Sequence, residues 1–147
     1  MNPARTGWFV AALLLAGLSQ GRADGPPPIN GIWLSGDGDG WIEISASATG
    51  LSAVITGSPN ASEDRPDIDE KNPDPALRDR PLIGLSLFAG FEYDGDGRWK
   101  GGTIYDPNSG KTYRCIVTIV DSDTLKVRGY VGVPLLGRTE IWTRKKN

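Results

Sequence analysis

Apolar and polar residues alternate along much of the chain with the period of two that half-buried β-strands require. In the run 113–119 the odd-numbered residues, among them Cys115 and Val117, fall on one strand face, which we predict to lie in the core. Gly, Asp and Asn separate such runs, and these residues favour the tight turns that join antiparallel strands. The pattern predicts eight strands, at residues 31–34, 41–45, 51–56, 83–88, 99–105, 113–120, 125–131 and 138–144.

Eight short strands without a convincing amphipathic helix predict an all-β domain, either an antiparallel barrel or a sandwich. A closed barrel has the advantage that it leaves no exposed strand edge. The chain has 147 residues, which is enough for one domain with a real core and too short for two.

The stretch 58–80 interrupts this rhythm, because it is polar, contains four prolines and is too long for a hairpin turn. Within it, Asp74 is a suitable helix N-cap and Pro75 suits the first helical position, so we expect one short helical turn between Asn72 and Arg80. Long loops in compact domains are usually functional or disordered. The predicted fold is therefore all-β, with one long polar loop and at most a short helical turn.

The first residues of the chain have the order of a secretory signal peptide. A short basic segment precedes an apolar run at residues 8–18, and small residues lead up to Ala23. This run is shorter than the roughly 20 apolar residues that span a bilayer. We therefore predict a signal peptide at residues 1–23, cleaved near Ala23, and a single barrel domain at 24–147. The mature protein would be periplasmic or secreted, with no membrane span.

Composition removes several classes of function. The net charge is −2, from 16 basic and 18 acidic side chains, so the basic surface of a nucleic-acid-binding protein is missing. The chain has no His and one Cys, which excludes His-dependent triads, an internal disulfide and multi-Cys metal sites. Acidic pairs with Gly at residues 37–40 and 94–97 are read as turns rather than calcium ligands, because neither continues into a full calcium loop. We predict no cofactor, no metal and no nucleic-acid partner.

Several segments together carry a resemblance to a known family. Residues 72–84 read NPDPALRDRPLIG, residues 31–33 read GIW, residues 99–107 read WKGGTIYDP, and residues 136–142 read LGRTEIW. In this order they resemble a bacterial exported family of unknown function, domain-of-unknown-function family 2147. The resemblance implies a small lipocalin-like (calycin-type) barrel, antiparallel and eight-stranded, with a signal peptide. It implies no activity, and no catalytic residue is predicted.

The pair Gly31 and Trp33 also resembles the first-strand motif of lipocalins. There the Trp closes one end of the barrel and stacks against an Arg from the last strand. The resemblance implies the same structural role for Trp33, with Arg138 or Arg144 as the cation. A cation over an aromatic face contributes roughly 0.5–2 kcal/mol.

Charged residues of the long loop are the first candidates for ligand contact. Arg side chains present a planar fork to carboxylates and phosphates, so two of them beside an Asp suit an anion. The alternative is that these charges hold the loop on the barrel, through pairs such as Arg78 with Asp106. A second group of candidates lies on the neighbouring turn. The full set of predicted ligand contacts is Lys71, Asp74, Arg78, Arg80, Tyr105, Asp106 and Lys111.

Three functions remain open at this stage. The leading prediction is a monomeric, non-enzymatic protein of the bacterial envelope that binds a small apolar or amphipathic ligand at the barrel mouth beneath the long loop. The alternative is an interaction module with a side-chain-filled barrel, which contacts another envelope protein. A hydrolase that uses carboxylates such as Asp74, Asp106 or Glu140 is the third. A cavity in the structure distinguishes the first from the second.

Overall fold

The structure is a computed structural model that describes residues 28–61 and 67–147. The predicted signal peptide, residues 1–23, lies outside the described residues. Nine strands are present in the described part, together with two short 3-10 turns at Pro75–Leu77 and Pro134–Leu136. The strands are β1 (Gly31–Leu34), β2 (Trp41–Ser47), β3 (Gly50–Gly57), β4 (Phe88–Ala89), β5 (Glu92–Gly95), β6 (Arg98–Asp106), β7 (Lys111–Asp121), β8 (Thr124–Tyr130) and β9 (Arg138–Arg144).

All of these strands belong to one antiparallel sheet with the order β3-β2-β1-β9-β8-β7-β6-β4. Strand β5 also pairs with β6, so β4 and β5 are two halves of one position in the sheet. The segment before β4 joins the two ends of the sheet, because the amide of Leu87 donates to Ala53 O at 2.8 Å and the amide of Ile55 donates to Leu85 O at 3.0 Å. The result is a nearly closed barrel, which confirms the predicted eight-stranded antiparallel architecture.

The fourth predicted strand, residues 83–88, is the main error in the strand assignment. Regular pairing with β6 begins only at Phe88, and a second short strand follows at Glu92. Phe88 and Phe91 are both buried, with ring centroids 4.9 Å apart. A spacing of three does not place two residues on one face of a regular strand. The chain therefore breaks between them, and it buries both rings at the cost of continuous pairing.

The core fills the closed part of the barrel. Its fully buried members include Trp33, Trp142 and Leu125, which lie on three adjacent strands. Cys115 is also fully buried, as the alternation in β7 predicts. Burial, with a smaller contribution from the negative charge of Glu140, raises the pKa of the Cys115 thiol to about 12. This thiol is therefore a packing group and a poor nucleophile.

The described part of the long loop is ordered and is paired at its base. The amide of Asp69 donates to Arg80 O, and the amide of Leu82 donates to Asp67 O, both at 3.0 Å. The predicted helical turn is confirmed as a 3-10 turn, and the carboxylate of Asp74 accepts from the amide of Ala76 at 3.0 Å. Among the described residues, no helix is both long and apolar enough to cross a bilayer.

Candidate functional site

A cavity of about 560 Å³ opens at the end of the barrel where the β1–β2, β6–β7 and β8–β9 connections lie. This volume falls within the roughly 300–1,000 Å³ of typical small-molecule sites. Gly129 of β8 lies in the wall without a side chain, which leaves space beside Tyr113. The apolar part of the wall includes Ile42, Ile55, Leu82, Leu87, Ile104, Val127 and Trp142.

Strand β9 lines the interior from the mouth to the opposite end. Alternate residues of a strand share one face, so Arg138, Glu140, Trp142 and Arg144 follow one another along the inside. The first three belong to the cavity wall, and Trp142 is almost fully buried at the inner limit of the cavity. The indole N–H of Trp142 donates to the Glu140 carboxylate at 3.2 Å.

Polar and charged side chains surround the mouth. The Arg138 guanidinium lies 3.4 Å from the Asp37 carboxylate and 4.0 Å from that of Glu140. The Asp39 carboxylate accepts from the Ser35 hydroxyl at 2.6 Å and from the Asn108 amide at 2.7 Å. Burial raises the pKa of Asp39, but these hydrogen bonds outweigh it and hold the pKa below its ordinary value. Asp39 is therefore ionised at neutral pH.

The opposite end of the barrel is closed by Trp33, which has no solvent exposure. The indole N–H of Trp33 donates to Ile29 O at 2.9 Å, and the Arg144 guanidinium lies 4.1 Å from the ring centroid. The same guanidinium donates to the carbonyls of Pro28 and Asn30 at 2.7 and 2.8 Å. Of the two arginines that the resemblance offers, it is Arg144 that stacks on Trp33, and Arg138 lies at the mouth instead.

Gly31 contributes to the same closure. Its φ of +146° is unfavourable for any residue with a side chain, and a Cβ at this position would collide with the Arg144 guanidinium. The Gly-x-Trp pair therefore places the ring and leaves room for the cation that covers it.

A buried polar cluster holds the long loop on the barrel wall. Asp69 is fully buried, and its carboxylate accepts from the Tyr105 hydroxyl at 2.6 Å and from the Asn72 amide at 2.8 Å. Arg80 completes the cluster with an ion pair to Asp69 at 2.9 Å. Burial raises the pKa of Asp69, but the hydrogen bonds from Tyr105, Asn72 and Arg80 outweigh it and lower that pKa below its ordinary value. Burial and the neighbouring Asp69 raise the pKa of Tyr105 to about 12.

Other charged residues of the loop also have structural partners. In place of the pair with Asp106 that one alternative offered, the Arg78 guanidinium donates to Asn72 O at 2.8 Å, within the loop itself. The Lys71 ammonium donates to Asn108 O at 2.8 Å, and so ties the loop to the β6–β7 turn. The two chains approach so closely there that a Cβ on Gly110 would overlap Lys71 O. The loop charges thus act mainly as ties between backbone segments.

Only part of the predicted ligand-contact set reaches the cavity. Tyr105 and Asp106 lie in its wall. Asp106 also shapes the β6–β7 turn, because its carboxylate accepts from the backbone N–H of Asn108 at 3.0 Å and from the Ser109 hydroxyl at 2.7 Å. The remaining members lie outside the wall as the described residues form it, so their part in ligand contact stays a prediction. They are Lys71, Asp74, Arg78, Arg80 and Lys111.

The acidic turns have partners other than a metal. Asp94 accepts from the Lys100 ammonium at 2.8 Å, and Asp37 faces Arg138. Within residues 28–61 and 67–147, no group of three or more His, Cys, Asp or Glu residues is placed to hold a metal ion.

The sequence did not single out Asp69, Asn72 or Asn108. Asp69 is one of several aspartates in a polar loop, and its neighbour Ile68 is more than a third exposed while Asp69 is fully buried. Hydropathy predicts the opposite arrangement for this pair. The sequence contains the partners Arg80 and Tyr105, but it does not show that they contact Asp69. That contact exists only because the loop folds back on β6.

Comparison with solved structures supports the fold. Protein HP1028 from the human pathogen Helicobacter pylori, which is described as belonging to the lipocalin family, superposes with a TM-score of 0.73. The two are 23% identical, and the match covers 82% of this chain and 85% of that one. At this identity the likeness shows the fold alone, which is that of a lipocalin-like barrel. No curated protein shows significant similarity to this chain.

Comparison with family models gives the relationship that the short segments suggested. The family described as "Uncharacterized protein conserved in bacteria (DUF2147)" matches residues 31–144, which run from the first residue of β1 to the last residue of β9. This match includes Gly31 and Trp33 at the closed end, and Glu140 and Trp142 in the cavity wall. The chain therefore belongs to the DUF2147 family.

Proposed function

We propose that this protein is an exported, non-enzymatic binding protein that holds a small apolar or amphipathic molecule in the cavity of its barrel. The observation that carries the proposal is the cavity of about 560 Å³, with apolar walls inside and polar groups at one open end. Binding of an apolar ligand to such a surface is favourable, because the ligand displaces water from it. The proposal of export rests on the signal peptide predicted at residues 1–23. An exported protein of this kind would be in the periplasm or outside the cell.

The other two functions have less support. A barrel filled by side chains does not agree with a cavity of this size. A carboxylate-dependent hydrolase needs two carboxylates around one reacting bond. Asp106 and Glu140 contribute to the cavity wall, but Asp74 lies on the exposed loop, where it caps the 3-10 turn.

A variant that fills the cavity tests the proposal. In Gly129→Leu the new Cβ would meet the Tyr113 Cβ at 3.6 Å, an ordinary contact, and the rest of the side chain would enter the cavity that Gly129 lines. Lys126→Leu is the matched control, because it adds the same side chain to the exposed outer face of the same strand. The probe is Nile red, an uncharged dye whose fluorescence rises in apolar surroundings.

We expect the wild-type chain and Lys126→Leu to bind the dye equally, and Gly129→Leu to bind it at least about tenfold more weakly, because the bulk of the ligand is excluded. Circular dichroism confirms that both variants fold. Native mass spectrometry of residues 24–147 from a bacterial periplasm then gives the mass of any natural ligand. Equal dye binding by folded Gly129→Leu would contradict the proposed site.

A further inference from the structure

The cavity wall carries an unequal number of acidic and basic residues. Among the described residues that form the wall, Arg138 is the only basic one. The acidic ones are Asp37, Asp39, Asp67, Asp106 and Glu140. With every carboxylate ionised, five negative charges and one positive charge leave a formal excess of four negative charges around one apolar cavity.

Arg138 offsets little of this charge. Its side chain is 77% exposed, and its contacts to Asp37 and Glu140 are long, at 3.4 and 4.0 Å. Ion pairs of this kind, formed by a flexible and solvated side chain, contribute little free energy. Arg138 also sits at the entrance, where a ligand can displace it without breaking the wall.

Glu140 is the carboxylate with the strongest need for a partner. It faces inward on β9, is half-buried, and has Trp142 on one side and Arg138 on the other. The indole of Trp142 supplies one hydrogen bond at 3.2 Å, to a single carboxylate oxygen. A carboxylate beside apolar walls is costly unless a cation or several donors accompany it. The free protein provides one neutral donor and a distant guanidinium.

Two further carboxylates are fixed in position before any ligand arrives. Asp39 is oriented by Ser35 and Asn108, and Asp106 is oriented by its hydrogen bonds within the β6–β7 turn. Groups that are already oriented lose little conformational entropy when they meet a ligand charge. The low pKa of Asp39 agrees with a negative charge at the mouth.

We infer that the ligand of this cavity is a cationic amphiphile, whose apolar body packs against the inner wall and whose ammonium-like group is held by Glu140 and the carboxylates of the mouth. This inference rests on the proposed function and names the charge of the molecule that the site accepts.

Three compounds with the same alkyl chain test the inference: decylammonium, decanol and decanoate. They differ only in the charge of the polar end, so their apolar contacts are matched. Isothermal titration calorimetry at neutral pH measures the affinity of the full mature chain for each. We expect decylammonium to bind about tenfold more tightly than decanol, the effect of one charge-assisted contact, and decanoate to bind most weakly. Added salt reduces the difference, because it screens the charges.

Glu140→Gln is the decisive variant, because it keeps the shape and still accepts from Trp142. It should reduce the preference for decylammonium over decanol by about tenfold and leave decanol binding unchanged. Glu43→Gln removes the same charge from the outer face of β2 and serves as the control. If Glu140→Gln fails to fold, Asp37→Asn at the exposed mouth is expected to reduce the preference by about threefold.

The outcomes separate the inference from the function on which it rests. If decanol binds and decylammonium binds no more tightly, the cationic ligand is wrong and the binding barrel stands. Equal losses of decylammonium affinity in Glu140→Gln and Glu43→Gln would also overturn the inference. If none of the three compounds binds, the proposed function itself fails.

Discussion

The two ends of the barrel use the same strand for opposite purposes. At the closed end, the Arg144 side chain is 22% exposed, stacks on Trp33, and donates to three backbone carbonyls, including Ser122 O at 2.6 Å. At the open end, the Arg138 side chain is 77% exposed and reaches two carboxylates at long distances. The two arginines lie on the same face of β9, but their surroundings differ.

This difference shows that the two ends of a small barrel can have separate roles: one end stabilises the fold, and the other gives a ligand access to the cavity. At the closed end, three backbone carbonyls accept from the Arg144 guanidinium, the Trp33 ring covers its face, and the Asp123 carboxylate lies 3.9 Å away. The open end has an excess of carboxylates around an apolar cavity. Of the two arginines, Arg144 at the closed end is therefore expected to contribute more to stability, while the open end gives access to the cavity.

The largest effect is expected from Trp33→Ala. Removal of this buried ring leaves a cavity at the closed end and should lower the free energy of unfolding by roughly 3–5 kcal/mol. Guanidinium chloride unfolding measures the loss. Trp41→Ala, which removes a half-buried indole from the adjacent strand, should cost clearly less. Equal losses of unfolding free energy in the two variants would contradict a special role of the closed end in stability.

The next largest effect is expected from Asp69→Asn in the loop cluster. The new amide group would face donors from Asn72 or Arg80, so at least one buried donor would lose its acceptor. We expect a loss of roughly 2–3 kcal/mol at neutral pH. Asp79→Asn, at an exposed position of the same loop, should change stability little. A similar loss in both variants would indicate a general effect of loop charge.

The same cluster predicts a pH dependence on both sides of neutrality. The pKa of Asp69 is lowered in the folded state, so its stabilisation is present above the ordinary value of 3.8 and is lost as the pH falls through the lowered pKa. The pKa of Tyr105 is raised, so its stabilisation is present below 10 and is lost as the pH rises towards about 12. Unfolding curves across this range should show both losses in the wild type and weaker ones in Asp69→Asn.

The smallest losses of stability are expected from variants of the two arginines, which can be compared directly. Arg144→Ala should cost roughly 2 kcal/mol, from the lost cation–π contact and the carbonyls left without donors. Arg138→Ala should cost less than about 1 kcal/mol, because its ion pairs are exposed. Thermal unfolding measures both. A larger loss for Arg138→Ala would contradict the assignment of stability to the closed end.

The sequence predicted the features that depend on local pattern. Alternation located most strands, because a half-buried strand must alternate. The 3-10 turn followed from Asp74 and Pro75, whose preferences act within a few residues. The resemblance of Gly31 and Trp33 to the first-strand motif of lipocalins implied the closed end, although it could not decide between Arg138 and Arg144. That choice depends on how far each residue lies along β9 from the level of Trp33.

The features that the sequence did not predict depend on contacts between distant residues. Asp69 meets Tyr105 and Arg80 only after the loop folds onto β6, and hydropathy alone would have buried Ile68 instead. The break between β4 and β5 arises because two rings compete for the same core. The charge of the cavity is likewise a sum over loops that are far apart in the sequence, and no single segment shows it.

The pairing of β1 with β9 also has a consequence for the order of folding. Hairpins such as β2–β3 and β7–β8 join neighbours in sequence and can form early, whereas Trp33 meets Arg144 only across nearly the whole described chain. Until β9 arrives, β1 and β8 each present an open edge to other chains. The seven residues Arg138–Arg144 therefore complete the fold and at the same moment protect it from aggregation.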